Sequence, residues 1–200
     1  MKRSLFALAL AAALPLSAQA GEMSYTYVEG GYTADEFSGS GLQTLDGYYI
    51  GGSYNFADTG WFVAGSYNST TFDAGPVNVD FNRALVGFGY HHGVTDNADL
   101  VVQLDYLDTR EDAGAFGSAS DNGYRLSLGF RGTVTEKFEL SAMARYEDGG
   151  DFSSSGNNAS LDVLGQYKFN ETLGLTAGVG VGQRYNTDLI NYNIGLRASF

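Results

Sequence analysis

A chain of 200 residues with no cysteine draws no stability from disulfides and builds no metal site on thiolates. Its formal net charge of −12 at pH 7 argues against a nucleic-acid partner, whose phosphates require basic surface. Its 28 glycines, 14 tyrosines, 13 phenylalanines and two prolines describe strands joined by Gly-rich turns rather than helices.

Met1 to Ala20 reads as a cleaved signal peptide: Lys2 and Arg3, the apolar run LFALALAAALPL, then Ser17-Ala18-Gln19-Ala20 before Gly21. As a membrane anchor the run is too short to span. Residues 21–200 then form one domain, holding nine basic residues against 23 acidic ones. Beyond the leader no apolar run approaches the ~20 residues a spanning helix needs, and the mean hydropathy is −0.15. Hydropathy alone describes a soluble protein.

Periodicity describes something else. From Ser24 onward, segments of about ten residues alternate apolar and polar with period two, separated by Gly, Asn, Asp and Ser clusters. SYTYVEGGYT sets Val28, Gly30 and Tyr32 against Glu29, and the cost of a carboxylate in hydrocarbon turns Glu29 inward. The second strand sets Tyr48, Ile50, Gly52, Tyr54 and Phe56 against Tyr49, Gly51, Ser53 and Asn55; the third carries Trp61, Val63, Gly65 and Tyr67 outward. The fourth opposes Ala84, Val86, Phe88 and Tyr90 to Arg83, Gly87 and His91, and the fifth opposes Leu100, Val102, Leu104 and Tyr106 to Gln103 and Asp105. The clearest is the sixth, where Tyr124, Leu126, Leu128, Phe130 and Val134 face away from Arg125, Ser127, Arg131 and Thr133. In the seventh, Phe138, Leu140, Ala142, Ala144 and Tyr146 oppose Glu139, Ser141, Arg145 and Glu147; in the eighth, Leu161, Val163 and Tyr167 oppose Asp162, Gln166 and Lys168. The ninth carries Leu173, Leu175, Ala177, Val179, Val181 and Tyr185 against Thr176, Gly178, Gly180, Gly182 and Arg184. The tenth, NYNIGLRASF, keeps Tyr192, Ile194, Leu196, Ala198 and Phe200 on one apolar face to the last residue, as a lipid-facing closing strand requires.

The expected fold is therefore an all-β, antiparallel up-and-down transmembrane barrel of ten strands, with eight as the alternative if one pair is misread. Connectors alternate in length. Ala57 to Gly60, Gly93 to Asn97, Thr135 to Lys137 and Asn170 to Thr172 are short; Thr33 to Thr44, Phe72 to Val79, Arg110 to Asn122 and Glu147 to Asn157 are longer and acidic. Short periplasmic turns and longer extracellular loops give that pattern, with both termini in the periplasm. Phe56 with Trp61, Tyr90, Phe138, Tyr167 with Phe169, and Phe200 mark strand ends on the periplasmic side, as an interfacial aromatic girdle would.

SYTYVEGGY at 24 to 32, DFNRALVGFGYHH at 80 to 92, ADLVVQLDY at 98 to 106, ARYEDGG at 144 to 150 and KFNETLGL at 168 to 175 resemble the small outer-membrane barrel family once proposed as activator of a rice immune receptor, of OmpA/OmpX type. The resemblance spans most of the chain after the leader. It implies an outer-membrane barrel without a settled biochemical activity, in the envelope of a Gram-negative cell.

Strand phase turns Arg83, Arg125, Arg131, Arg145, Lys168, Arg184 and Arg197 into one interior with Glu29, Asp105, Glu139, Glu147 and Asp162. Two readings follow: an ion-pair network that fills the lumen, or a small porin-like conduit for ions or polar solutes. Eight strands are just filled by side chains and porins use about sixteen, so ten favours the filled lumen. His91 and His92, the only histidines, end strand four beside a short turn and read as solvated turn neighbours. With no nucleophile, base and orienting group on one rim, the expectation is a structural or surface-interacting envelope protein, not an enzyme, without cofactor or metal. Gly178, Gly180 and Gly182 lie on one strand face with no helix following, and read as room for lumen side chains rather than as a dinucleotide fingerprint. Asp108, Glu111 and Asp112, and Glu147, Asp148 and Asp151, match no EF-hand spacing and read as solvated acidic loops. Expected partners are outer-membrane lipid and lipopolysaccharide, and the barrel-assembly machinery through Tyr192, Ile194, Leu196 and Phe200; a monomer is expected.

Overall fold

A computed structural model describes residues 23–38, 44–57, 59–73, 78–149, 157–184 and 187–200. The leader, Tyr185 and Asp151 fall outside that set. The strands are β1 (Tyr27–Phe37), β2 (Leu45–Asn55), β3 (Trp61–Asp73), β4 (Asn78–Thr95), β5 (Ala98–Asp112), β6 (Ser118–Thr135), β7 (Phe138–Gly149), β8 (Asn157–Lys168), β9 (Leu173–Arg184) and β10 (Thr187–Ser199). Each pairs antiparallel with its neighbours in sequence. β10 returns to β1, from Tyr27 opposite Ser199 to Phe37 opposite Leu189, which closes a ten-stranded barrel. Closure satisfies every strand edge from within, the condition for placing a sheet in hydrocarbon.

On the side of the long connectors the strands run past their expected ends. Arg110 to Asn122, expected as a loop, continues as β5 and β6 around a single 3₁₀ turn at Gly114–Phe116. Gly114 and Gly117 turn there at φ 59° and 109°, backbone conformations that suit glycine. The outward apolar signal fades beyond Tyr106 and Tyr124, where Asp108, Arg110 and Asn122 are exposed, while the inner face stays buried to Thr109 and backbone pairing carries on to Asp112 opposite Ser118. On the other side, Ser24 to Thr26 precede β1 instead of beginning it.

The outer face is apolar between the two strand ends that carry the aromatic residues. Ile50, Val86, Phe88, Leu104, Leu128, Ile194 and Leu196 are all exposed, a belt that only lipid or a partner would cover. Aromatic side chains bound it twice. Toward the short turns stand Phe56, Trp61, Tyr90, Tyr167, Phe169 and Phe200, all exposed. Toward the long connectors stand Tyr32, Tyr48, Tyr67, Tyr106, Tyr124, Tyr146 and Tyr192, a second girdle that the strand-end reading had not picked out. Tyr67 donates its hydroxyl hydrogen to Asn82 Oδ1 (2.7 Å) and Tyr124 donates to Asp148 Oδ2 (3.1 Å), so these rings carry their polar ends upward and their bodies in the belt. Eight residues of tilted strand separate Tyr146 from Phe138 or Tyr192 from Phe200, roughly 20 Å along the barrel axis, close to the height of an outer-membrane apolar band.

The inner face departs from a purely polar expectation. Leu45, Leu85, Leu107 and Leu189 turn inward and are buried, Leu107 completely. At the turn end Tyr25, Phe62 and Val101 form a buried cluster against Met23, Ala64 and Met143.

Candidate functional site

Every strand contributes alternate residues to the lumen, so cross-strand neighbours with opposite charge come together by register alone. Glu29 stands directly opposite Arg197, and Asp105 opposite Arg125. Longer reaches join strands that are not neighbours. Arg83 on β4 crosses to Glu147 on β7 at 2.8 Å, and Arg184 on β9 passes β10 to reach Asp35 on β1 at 2.8 Å. The remaining contacts are Arg125 to Asp105 (3.1 Å), Arg131 to Glu139 (2.6 Å), Arg145 to Asp162 (2.9 Å), Lys168 to Glu139 (2.6 Å) and Arg197 to Glu29 (2.6 Å). The twelve charged residues assigned to the interior thus all stand in ion pairs of one lumen.

Asp35 was missed. The inward series Glu29, Gly31, Thr33 carries on to Asp35 at the same period, and assigning Thr33 onward to a loop hid it. Asn191 donates from Nδ2 to Asp35 Oδ1 (2.6 Å), so this carboxylate is held from two strands.

The lumen divides into two halves. Toward the short turns it is solid. Arg131 forks onto Glu139 Oε2 from Nε and Nη2 (3.1 and 2.6 Å) and donates from Nη1 to the Ser24 carbonyl oxygen (2.8 Å). Arg197 forks onto Glu29 in the same way, donates to Gln166 Oε1 (3.1 Å), and lies over the Tyr27 ring at 4.0 Å. Below them Tyr25 stacks on His91 with ring centroids 3.8 Å apart, tilts against Phe62 at 5.5 Å, and carries the Arg131 guanidinium at 4.7 Å. Glu139, Gln166 and Thr176 are 2%, 3% and 0% exposed. Burial pushes the Tyr25 phenol up, which keeps it neutral at physiological pH.

His91 corrects the solvated reading: it is packed between Tyr25 and Asp99, whose Oδ2 lies 3.1 Å from Nδ1. His92 is exposed. Both stay at the turn end, away from the long connectors.

Toward the long connectors the lumen is hollow. A cavity of ≈ 330 Å³ is lined by Arg83, Arg125, Arg145 and Arg184 together with Asp35, Asp105, Glu147 and Asp162, and it reaches down to Glu29. Exposure there is uneven: Arg145 and Arg184 are the wetter side chains, at 31% and 20%, while their neighbours Asp105 and Asp35 are buried. The glycines of β9 face neighbouring lumen groups: a Cβ would stand 2.8 Å from the Asn193 amide at Gly178, 2.5 Å from Asp162 Oδ1 at Gly180 and 2.6 Å from Ser160 Cβ at Gly182. They leave the space that those side chains occupy. Among the described residues no group of three or more His, Cys, Asp or Glu is placed to hold a metal ion. Asp112 instead accepts the Gly114 backbone N–H (2.9 Å), and Glu147 turns into the lumen.

Three solved barrels illustrate the likeness of fold. The NanC porin matches at 14% identity and a TM-score of 0.50 over 88% of this chain and 100% of its own. The translocator domain of the autotransporter NalP from Neisseria meningitidis matches at 12% and 0.49 over 99% and 98%. Ail, the attachment invasion locus protein of Yersinia pestis, matches at 14% and 0.48 over 90% and 100%. At 14% identity the NanC likeness speaks for the fold alone. No curated protein matches the sequence. The model of the outer membrane protein beta-barrel domain matches residues 6–163, and the chain belongs to that family of outer-membrane barrels.

Proposed function

We propose that this outer-membrane barrel serves a structural or surface-interaction role and does not conduct, its lumen being closed by side chains at the periplasmic end. The observation that carries this reading is the packing of the turn-side half, where the Arg131–Glu139–Lys168 group, Arg197 and the Tyr25–Phe62–Val101 cluster stand between the walls and none of them lines the cavity. Unpaired, such charges would lose hydration without return; paired, they crosslink the strands. Folded into detergent and inserted in a planar bilayer, the protein is expected to pass no steady current. A stable ohmic conductance would overturn the reading.

A second reading, a small pore for ions or polar solutes, draws on the cavity on the long-connector side, lined by four arginines and five carboxylates. It requires that the turn-side half open. No enzyme role is proposed, and replacing both His91 and His92 by alanine is expected to leave any activity on lipid or peptide substrates unchanged. The same proposal includes export by a signal peptide cleaved before Gly21, which N-terminal sequencing of the membrane form would test. It also includes contact with lipopolysaccharide, a monomeric state, and recognition by the assembly machinery through Tyr192, Ile194, Leu196 and Phe200. The resemblance to the family linked to a rice immune receptor belongs to this proposal as well and adds no activity to it.

A further inference from the structure

A barrel of eight strands is just wide enough to be filled by the side chains of its own walls. Ten strands enclose more space than ten walls fill, and the two ends of this lumen treat the surplus differently. On the long-connector side it is left as the ≈ 330 Å³ cavity. On the turn side it is occupied by residues that belong to no strand. Met23, Ser24 and Tyr25 precede β1, which begins at Tyr27, yet Tyr25 is 7% exposed and touches three walls at once: Phe62 of β3, His91 of β4 and Arg131 of β6.

We propose that the N-terminal segment around Tyr25 is a stopper, a piece of chain inserted in the periplasmic mouth, and that withdrawing it joins the cavity to the other side as a passage for small ions. The inference rests on the proposed non-conducting state and names the part responsible for it. Three further observations support it. The cavity ends at the cluster that holds the stopper, since Ala64 and Met143 line the one and pack against the Tyr25–Phe62–Val101 cluster. The segment is tied to the walls by side-chain bonds and not by a strand ladder: Arg131 Nη1 donates to the Ser24 carbonyl oxygen (2.8 Å) and Ser24 Oγ to the Phe200 carbonyl oxygen (2.8 Å). Ring packing and the Asp99 carboxylate near the Tyr25 hydroxyl supply the rest of its hold, against strands fixed by backbone ladders. On the proposed cleavage after Ala20, Gly21 and Glu22 precede Met23, and what moves is a chain end. A segment so held can leave without breaking any strand.

Three chains decide it, each first shown to be folded by heat-modifiable migration and a β-type circular dichroism spectrum: the unmutated mature protein, a chain lacking residues 21–25, and Tyr25→Ala. In planar bilayers the unmutated protein is expected to stay closed, while both variants carry at least tenfold more mean current. If the unmutated protein and both variants are closed, the stopper is refuted and the non-conducting barrel stands. If the unmutated protein conducts steadily, the reading beneath the inference fails instead. Should the shortened chain not fold, Tyr25→Ala is compared with Tyr25→Phe, which keeps the ring and is expected to remain closed. Equal currents from those two variants, open or closed, would overturn the proposal.

Discussion

The two halves of the lumen use one vocabulary, arginine against carboxylate, for different ends. At the turn side Arg131 and Glu139 are 8% and 2% exposed and share their cage with Lys168, Ser24 and Tyr25. At the long-connector side Arg145 meets Asp162 with 31% of its side chain in contact with solvent. An ion pair taken out of water is a structural commitment, because losing one partner strands the other; a wet pair is screened and holds little. Identical chemistry thus yields a sealed end and a hollow end according to how much water reaches it.

That contrast is breakable. The largest effect is expected at the sealed end: Arg131→Ala leaves Glu139 with Lys168 alone and removes the donor to Ser24, and should cost about 3 kcal/mol of unfolding free energy, the lower end of the range for a broken buried pair, read by urea titration of the barrel in lipid vesicles. A loss below about 1 kcal/mol would mean that water already reaches the pair. Next comes the wall itself. A Cβ at Gly129 would collide with the Ala142 carbonyl oxygen and press within 2.7 Å of Met143 Sδ, and backbone yields less than a side-chain tip; Gly129→Ala should cost about 1–3 kcal/mol in the same titration. A double-mutant cycle on Glu29 and Arg197 should return a coupling of roughly 0.5–3 kcal/mol, the pair together costing less than the sum of the single changes. Additivity would indicate that their bidentate contact holds nothing. Smallest is Arg145→Ala at the hollow end, expected to cost under about 1 kcal/mol; a loss as large as that of Arg131 would erase the distinction between the halves.

Strand phase was legible because lipid outside and polar groups inside impose period two on every strand. Tyr124, Leu126, Leu128 and Phe130 alternating with Arg125, Ser127 and Arg131 give β6 at sight, and the shared parity of the inward charges placed twelve of them in one interior. The ten-strand count followed, and with it closure of β10 on β1. What stayed hidden is what periodicity does not encode. The β5–β6 hairpin continues into water, where neither face is selected for apolarity. Asp35 kept the inward period but was assigned to a loop. Leu107 has the right parity and the wrong polarity for a wet lumen, and its burial depends on neighbours from other strands. Tyr25 has inward parity too, but parity says nothing of a segment that leaves the ladder to stack on His91, sixty-six positions along the chain.

Because the chain contains no cysteine, single cysteines report the lumen without background. The direct test is the rate at which a charged, water-soluble thiol reagent labels Ser160→Cys, on the cavity wall, against Thr176→Cys, 0% exposed beside Tyr49 in the sealed half, in the folded protein. A sealed end beneath a hollow one requires ready labelling at 160 and at least a hundredfold slower labelling at 176. Comparable rates at the two positions would contradict it.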